Sequence, residues 1–227
     1  MRTDNRENND IRPLKIIQNL LTRCDGSIQL EQGNTVVLVS VTGPVEAPRR
    51  VEEPTRLVLD VLFKPCSGLP SCREKKFEIF VKQTLESFID LTSLPRTLIT
   101  VVIQEIKNDG ALLACCINAA TLALMEAGIS LLNRCASITM AISQDEFVLD
   151  PVLKEEEGAD SLHTIVFSKY SEQEYSIISL DSTGIFNLDS LNETITRCKL
   201  AANAINLIMD KAMISKIEKM SNDIMKE

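Results

Sequence analysis

Polar and apolar positions alternate most cleanly between residues 56 and 63, where Leu57, Leu59, Val61 and Phe63 are interleaved with Arg56, Val58, Asp60 and Leu62. A period of two predicts a β-strand. Upstream, the turn signal Asp25-Gly26 precedes an alternating stretch at Ile28 and Leu30. Gly33-Asn34 then marks a tight turn into residues 36–41, a run too apolar to face water. These segments predict a hairpin entering a core. The period then lengthens: residues 74–90 place Ile79, Leu85, Phe88 and Ile89 near one side of a helix, and Pro95 restarts the chain in extended form. A β-branched run from Ile99 to Ile103 stops at Asn108-Asp109-Gly110. Small and apolar residues then continue without a breaker to Gly128, a helix stop.

The second half repeats the plan. Residues 135–142 and 147–149 predict strands around a Gln144-Asp145 turn, and 163–168 and 175–180 predict a further pair. Gly184 precedes a last strand segment at Ile185 and Phe186. A long terminal helix follows, with Ser190 and Glu193 at capping-box spacing and an apolar stripe through Leu191, Ile195, Cys198, Ala202, Ile205, Met209, Ala212 and Ile217.

Composition places the chain among ordinary globular proteins. It has 227 residues, 44% hydrophobic and 25% charged, enough for one compact α/β domain or two small halves. No apolar run approaches the roughly 20 residues that span a bilayer, and residues 1–13 lack a signal-peptide core, so the expected setting is intracellular. Seven Cys, an odd count mostly in apolar surroundings, fit reduced thiols. The net charge of −8 argues against autonomous nucleic-acid binding, because Lys and Arg supply most nonspecific affinity for phosphate. Lys64, Arg73, Lys75 and Lys76 are a local exception around the loop 65–72. A basic loop of this kind can track an RNA backbone; the alternative is a solvated surface loop, since Glu74 and Glu78 interrupt the charge.

The strand-to-helix turn at 108–111 is the candidate site. A helix opening directly after a strand offers free N–H groups to an anion, yet here the first turn holds Ala111, Leu112, Leu113 and Ala114. Other catalytic readings are weaker. His163 is the only His and reads as a structural strand-end residue, Cys115-Cys116 as small core residues, and Glu155, Glu156 and Glu157 as a solvated acidic turn. Cys66 and Cys72 lack the paired Cys-x-x-Cys spacing of a zinc site.

Four phrases carry a family resemblance: Leu-Leu-Thr-Arg-Cys-Asp-Gly-Ser at 20–27, Gln-Gly-Asn-Thr-Val-Val-Leu-Val-Ser-Val-Thr-Gly-Pro at 32–44, the segment 104–128, and Val-Leu-Asp-Pro at 148–151. They resemble the ribonuclease PH-like family, above all its noncatalytic eukaryotic exosome-ring members, over about residues 14–215. The resemblance implies an α/β (α+β) fold, a β-α-β-α domain of mixed sheets flanked by helices, of the ribosomal protein S5 domain 2-like kind. It implies a single domain at 14–220 between a disordered tail (1–13) and a short C-terminal tail (221–227).

Active members of that family cleave RNA from its 3′ end with inorganic phosphate. This chemistry needs cations to gather two anions and carboxylates to hold a divalent metal. In the active pattern, Asp-Gly-Gly-Thr-Arg-Thr supplies hydroxyls and a guanidinium. Asp109 and Gly110 match, whereas the Thr-Arg-Thr positions fall on Leu112, Leu113 and Ala114, a degenerate phosphate site. Another phosphate-clamping Arg is replaced in the stretch 83–86, where Glu86 would repel phosphate. The two metal-holding Asp positions correspond to Glu156 and Leu162, and one carboxylate with a Leu cannot organise Mg²⁺.

The expectation is therefore a catalytically silent structural subunit of a six-membered exosome ring, with no cofactor and no metal. Its implied partners are other ribonuclease PH-like subunits, RNA-binding cap subunits and RNA passing through the channel, in nucleus, nucleolus and cytoplasm. Lys64, Arg73, Lys75 and Lys76 are the candidate RNA-facing set. Competing readings are a weak phosphorolytic or metal-dependent ribonuclease using Glu156, and a free homodimeric RNA-binding module.

Overall fold

The computed structural model describes residues 2, 6–144, 146–169 and 175–224. Asp145, in the expected turn after Gln144, lies outside them. The chain runs β1 (Leu14–Gln18), β2 (Gly26–Gln32), β3 (Thr35–Glu46), β4 (Val58–Lys64), α1 (Cys72–Glu86), β5 (Thr97–Lys107), α2 (Leu112–Glu126), β6 (Arg134–Ser143), β7 (Glu146–Leu149), α3 (Leu153–Glu157), β8 (Ser161–Lys169), β9 (Tyr175–Gly184) and α4 (Leu188–Ile224). None of the described helices is long and apolar enough to cross a membrane.

The strands form two sheets. One is five-stranded in the order β1-β2-β3-β5-β4, antiparallel except that β4 runs parallel to β5; the other is antiparallel in the order β7-β6-β8-β9. Between them lies α2, which packs on β2 and β3 of the first sheet and on β6 and β8 of the second. Every residue from Leu112 to Leu124 is buried, the pattern of a helix with no solvent face. Its one amide side chain, Asn118, is satisfied by a two-way bond to Ser137: Nδ2 donates to the carbonyl at 2.8 Å, and Oδ1 accepts the N–H at 2.7 Å. Helices α1 and α4 flank this core, α1 on β4 and α4 on β6. Because β6 touches both α2 and α4, its residues from Cys135 to Ile142 are buried without alternation.

Local expectations hold where one buried face dictates the pattern. Leu57, Leu59, Val61 and Phe63 are all core residues. In β3, by contrast, Val37, Val39 and Val41 are buried while Val36 and Leu38 are only half-buried, so this apolar run has one face outside the core. Helix α1 begins at a capping box in which the Ser71 N–H donates to Glu74 and the Arg73 N–H donates to the Ser71 hydroxyl; the helix ends at Glu86. Its inner face is Val81, Thr84 and Leu85; Ile79, expected inside, is 58% exposed. Ile185 and Phe186 lie beyond β9, which is continuous to Gly184. The α4 cap is shifted one turn upstream: Ser190 lies inside the helix, and its hydroxyl accepts the Asn187 N–H at 3.1 Å. Cys198, Ala202, Ile205 and Met209 are buried as the stripe requires, but Ile217 is exposed.

The described part of the amino-terminal segment is fastened to the body: Arg12 is buried and its guanidinium contacts both halves of the chain. At the other end, the expected boundary at 220 falls within α4. Strand β9 is the outer strand of its sheet, with Ile177 and Leu180 partly exposed.

Candidate functional site

Strand β5 ends at Lys107, and Asn108-Asp109-Gly110-Ala111 turns the chain into α2. The Asn108 side chain closes the turn by accepting the Gly110 N–H at 3.1 Å. Thr35 pins it from β3, its hydroxyl accepting the Asp109 N–H at 3.1 Å and donating to the Gly110 carbonyl at 2.8 Å. Gly110 has φ +88°, and a Cβ there would stand 2.4 Å from the Pro151 carbonyl oxygen. Only glycine lets the 151–153 backbone come this close. Ala111 follows in the left-handed region at φ +50°, with no side-chain cap on α2.

The Ala111 amide, at the N-cap of α2, is already used. Glu156 Oε1 accepts the Ala111 N–H at 2.5 Å. This corrects the solvated acidic turn: residues 153–157 form the single-turn helix α3, and Glu156 is half-buried with its carboxylate on the helix end. Burial pushes the Glu156 carboxyl above the usual range, against the opposing pull of the Ala111 N–H and the positive charges of Arg12 and Arg73. Leu112, Leu113 and Ala114 are buried, and their side chains carry no donor for a phosphate. Leu162 is a half-buried residue of β8, placed opposite Ala141 and Thr183. The Asp109 carboxylate faces Asn34, whose Nδ2 donates to it at 3.0 Å.

Sequence patterning missed the residue that organises this region. Arg12 Nη2 lies 2.6 Å from Asp150 Oδ1, Nε donates to Oδ2 at 3.0 Å, and the Arg12 backbone N–H donates to Oδ2 at 2.8 Å. The same guanidinium donates to the carbonyls of Asp109 at 2.7 Å and Gly110 at 3.1 Å. It thus ties the turn before α2 to the turn after β7. Burial alone would weaken its hold on the proton; the hydrogen bond and charge of Asp150 outweigh that and raise its pKa. Beside it opens a cleft of about 490 Å³ whose cations are Arg6, Arg12 and Lys154.

The four basic residues of the loop are exposed, and they are unequal. Lys75 pairs with Glu78 at 2.6 Å and Lys76 with Asp181 at 2.7 Å. Arg73 lies over the Phe77 ring, 5.4 Å from its centroid, and its positive charge pulls the pKa of the Glu105 and Glu156 carboxyls down against the larger effect of burial. Lys64 ends β4. Glu86 is elsewhere: Phe88, two residues on, bonds through its carbonyl to the Leu132 N–H, past the far end of α2 from Ala111. The stretch 83–86 therefore does not join the turn.

His163 is fully buried, between the hydroxyls of Ser161 at 3.1 Å and Ser182 at 2.8 Å, and Phe186 packs edge-on against its ring. Burial lowers its pKa. All seven cysteines are free; Cys115 and Cys116 sit in the core, where burial pushes the Cys115 thiol up to about 12 and the Cys116 thiol higher than usual.

Two sheets enclose a helix buried from Leu112 to Leu124, entered through a glycine turn whose N-cap amide is held by a carboxylate of the same chain, and together they define a two-sheet α/β protein. The chain belongs to the 3′ exoribonuclease family (RNase PH): it matches domain 1 of that family over residues 10–130 and domain 2 over residues 133–196. It is 38% identical over 167 residues to the exosome complex exonuclease RRP46 homolog of Oryza sativa subsp. japonica, covering 73% of this chain and 70% of that protein. It is likewise 38% identical over 183 residues to the exosome complex component RRP46 of Saccharomyces cerevisiae, covering 76% and 82%. The crystal structure of rice Rrp46 superposes with a TM-score of 0.86 at 33% identity, covering 93% of this chain and 99% of that one.

Proposed function

We propose that this chain is a noncatalytic structural subunit of the RNA exosome core ring, supporting 3′-to-5′ RNA processing and degradation, including rRNA maturation. The observation that carries the reading is at the start of α2. Three positions that bear phosphate donors in active relatives hold Leu112, Leu113 and Ala114, and the N-cap amide just before the helix, that of Ala111, is taken by Glu156. Loss of a single transition-state donor costs about 3–4 kcal/mol, so losing several together removes useful turnover. The exosome names of the relatives support placement in an exosome complex; in this reading the chain stands beside other ribonuclease PH-like subunits in a hexameric ring, below RNA-binding cap subunits. RNA would pass through the assembled channel, in nucleus, nucleolus and cytoplasm.

Lys64, Arg73, Lys75 and Lys76 are the proposed RNA-facing set. Arg73 and Lys64 are its stronger members, because Lys75 and Lys76 already hold carboxylates. The competing reading is a weak ribonuclease, which the word exonuclease in the rice relative's name favours. Incubating the purified chain with single-stranded RNA, phosphate and Mg²⁺ separates the two. The expected result is no nucleoside diphosphate above background; turnover that disappears in Glu156→Ala would overturn the noncatalytic reading.

A further inference from the structure

Three arginines of the amino-terminal segment converge on one turn. Arg2 and Arg6 each donate a guanidinium N–H to the Asp150 carbonyl at 3.3 Å, and Arg2 also reaches the Leu149 carbonyl. Arg6 lies 3.9 Å from the Asp150 carboxylate that Arg12 holds. The Asn8 carbonyl accepts the Leu149 N–H at 2.8 Å. Residues 6–10 form no helix or strand, and these contacts seat them on the body. Asp150 is fully buried and sits in the left-handed region at φ +51°, a conformation that surrounding contacts must impose.

The held turn feeds directly into α3. Arg2 Nε lies 3.6 Å from Glu155 Oε1, Glu155 Oε2 accepts the Val152 N–H at 2.9 Å, and Glu156 takes the Ala111 N–H. Helix α3 is five residues long and buries none of them. Its own packing is slight, so the contacts that hold the 149–153 segment, the arginines together with the close approach of Gly110 and the Asp150 N–H bond to the Thr139 carbonyl, are what aim Glu156.

We propose that Arg2 and residues 6–10 act as a latch whose seating on the Leu149–Asp150 turn holds Glu156 over the Ala111 amide at the N-cap of α2, so that releasing them uncovers that amide. Arg12 lies behind the latch and keeps the two halves joined whether it is seated or not. The amino-terminal segment thereby controls access to a backbone position some 40 residues upstream of the turn it grips.

Hydrogen–deuterium exchange on the full chain tests this without reference to nuclease activity. Glu156→Ala sets the rate for an uncovered Ala111 amide. In Arg2→Ala/Arg6→Ala, residues 6–10 should lose protection and the Ala111 amide should exchange at least tenfold faster than in the unsubstituted chain, approaching Glu156→Ala, while β5 and α4 keep their protection. Released residues 6–10 with an unchanged Ala111 rate would overturn the coupling; residues 6–10 that stay protected would overturn the arginine latch. Should β5 and α4 also lose protection, Arg6→Gln alone decides between the same outcomes.

Discussion

Replacing Arg12 by Met keeps much of the side chain's apolar length and removes its charge. The side chain is 4% exposed and Asp150 is 0% exposed, so the substitution leaves a carboxylate inside the protein with its main counter-ion gone. Breaking a buried pair from one side costs about 3–5 kcal/mol. The carbonyls of Asp109 and Gly110 also lose a donor each, at about 1 kcal/mol apiece before relaxation. Two features offset part of this: the residue-12 backbone N–H still reaches Asp150, and Arg6 stands 3.9 Å away. A net loss of about 4 kcal/mol is expected, a large share of the 5–15 kcal/mol typical of a folded domain. Urea denaturation at neutral pH measures it, with an unchanged slope confirming that the native and denatured states are otherwise the same. Asp150→Asn removes the other charge, and Asn tolerates the left-handed backbone there. The double variant should therefore cost at least about 2 kcal/mol less than the two singles added together. A loss below about 1 kcal/mol for Arg12→Met, or an additive cycle, would refute the central role given to this pair.

Two further outcomes follow from the same region and its neighbour. Gly110→Ala should destabilise by on the order of 3 kcal/mol or more, because φ +88° is strained for alanine and the new Cβ meets backbone on the 151–153 segment; a melting temperature within about 2 °C of the parent would contradict that close approach. For His163, the folded pKa lies below the ordinary value, so its neutral form supports the fold fully above about pH 6.5, and that support is lost as pH falls through the folded pKa. The stability advantage of the parent over His163→Gln should accordingly shrink between pH 7.5 and 5, and an unchanged gap would show that the ring is not held neutral.

What could be seen in the sequence was local and periodic. The β4 alternation and the breaker-free run of α2 each report a face, or a whole surface, removed from water, and the turn at 108–110 carries its own chemistry. Ile79 misled because helical spacing marks a side of the helix without saying what lies against it. Ser190 misled because Asn187, three residues earlier, is an equally competent cap. The Ser71–Glu74 capping box was available as a spacing signal and marks the true start of α1. Arg12 and Asp150 had no such signal: they are 138 residues apart, and an ion pair at that separation leaves no periodic trace. Leu112, Leu113 and Ala114 stand out only through the family resemblance, and their burial at the start of α2 is what the structure adds, whereas the seat of Glu156 on the Ala111 amide depended on a single-turn helix too short to announce itself.

Among the described residues, strand β9 leaves one long side of its sheet unpaired over Tyr175–Gly184, and Ile177 and Leu180 stand partly clear of the core beside it. An open strand edge with apolar side chains is a template for adventitious β-pairing between molecules. A cell that makes this chain with nothing to cover that edge therefore carries a precipitation hazard, and a binding surface that pairs or shields the strand would serve solubility as well as recognition.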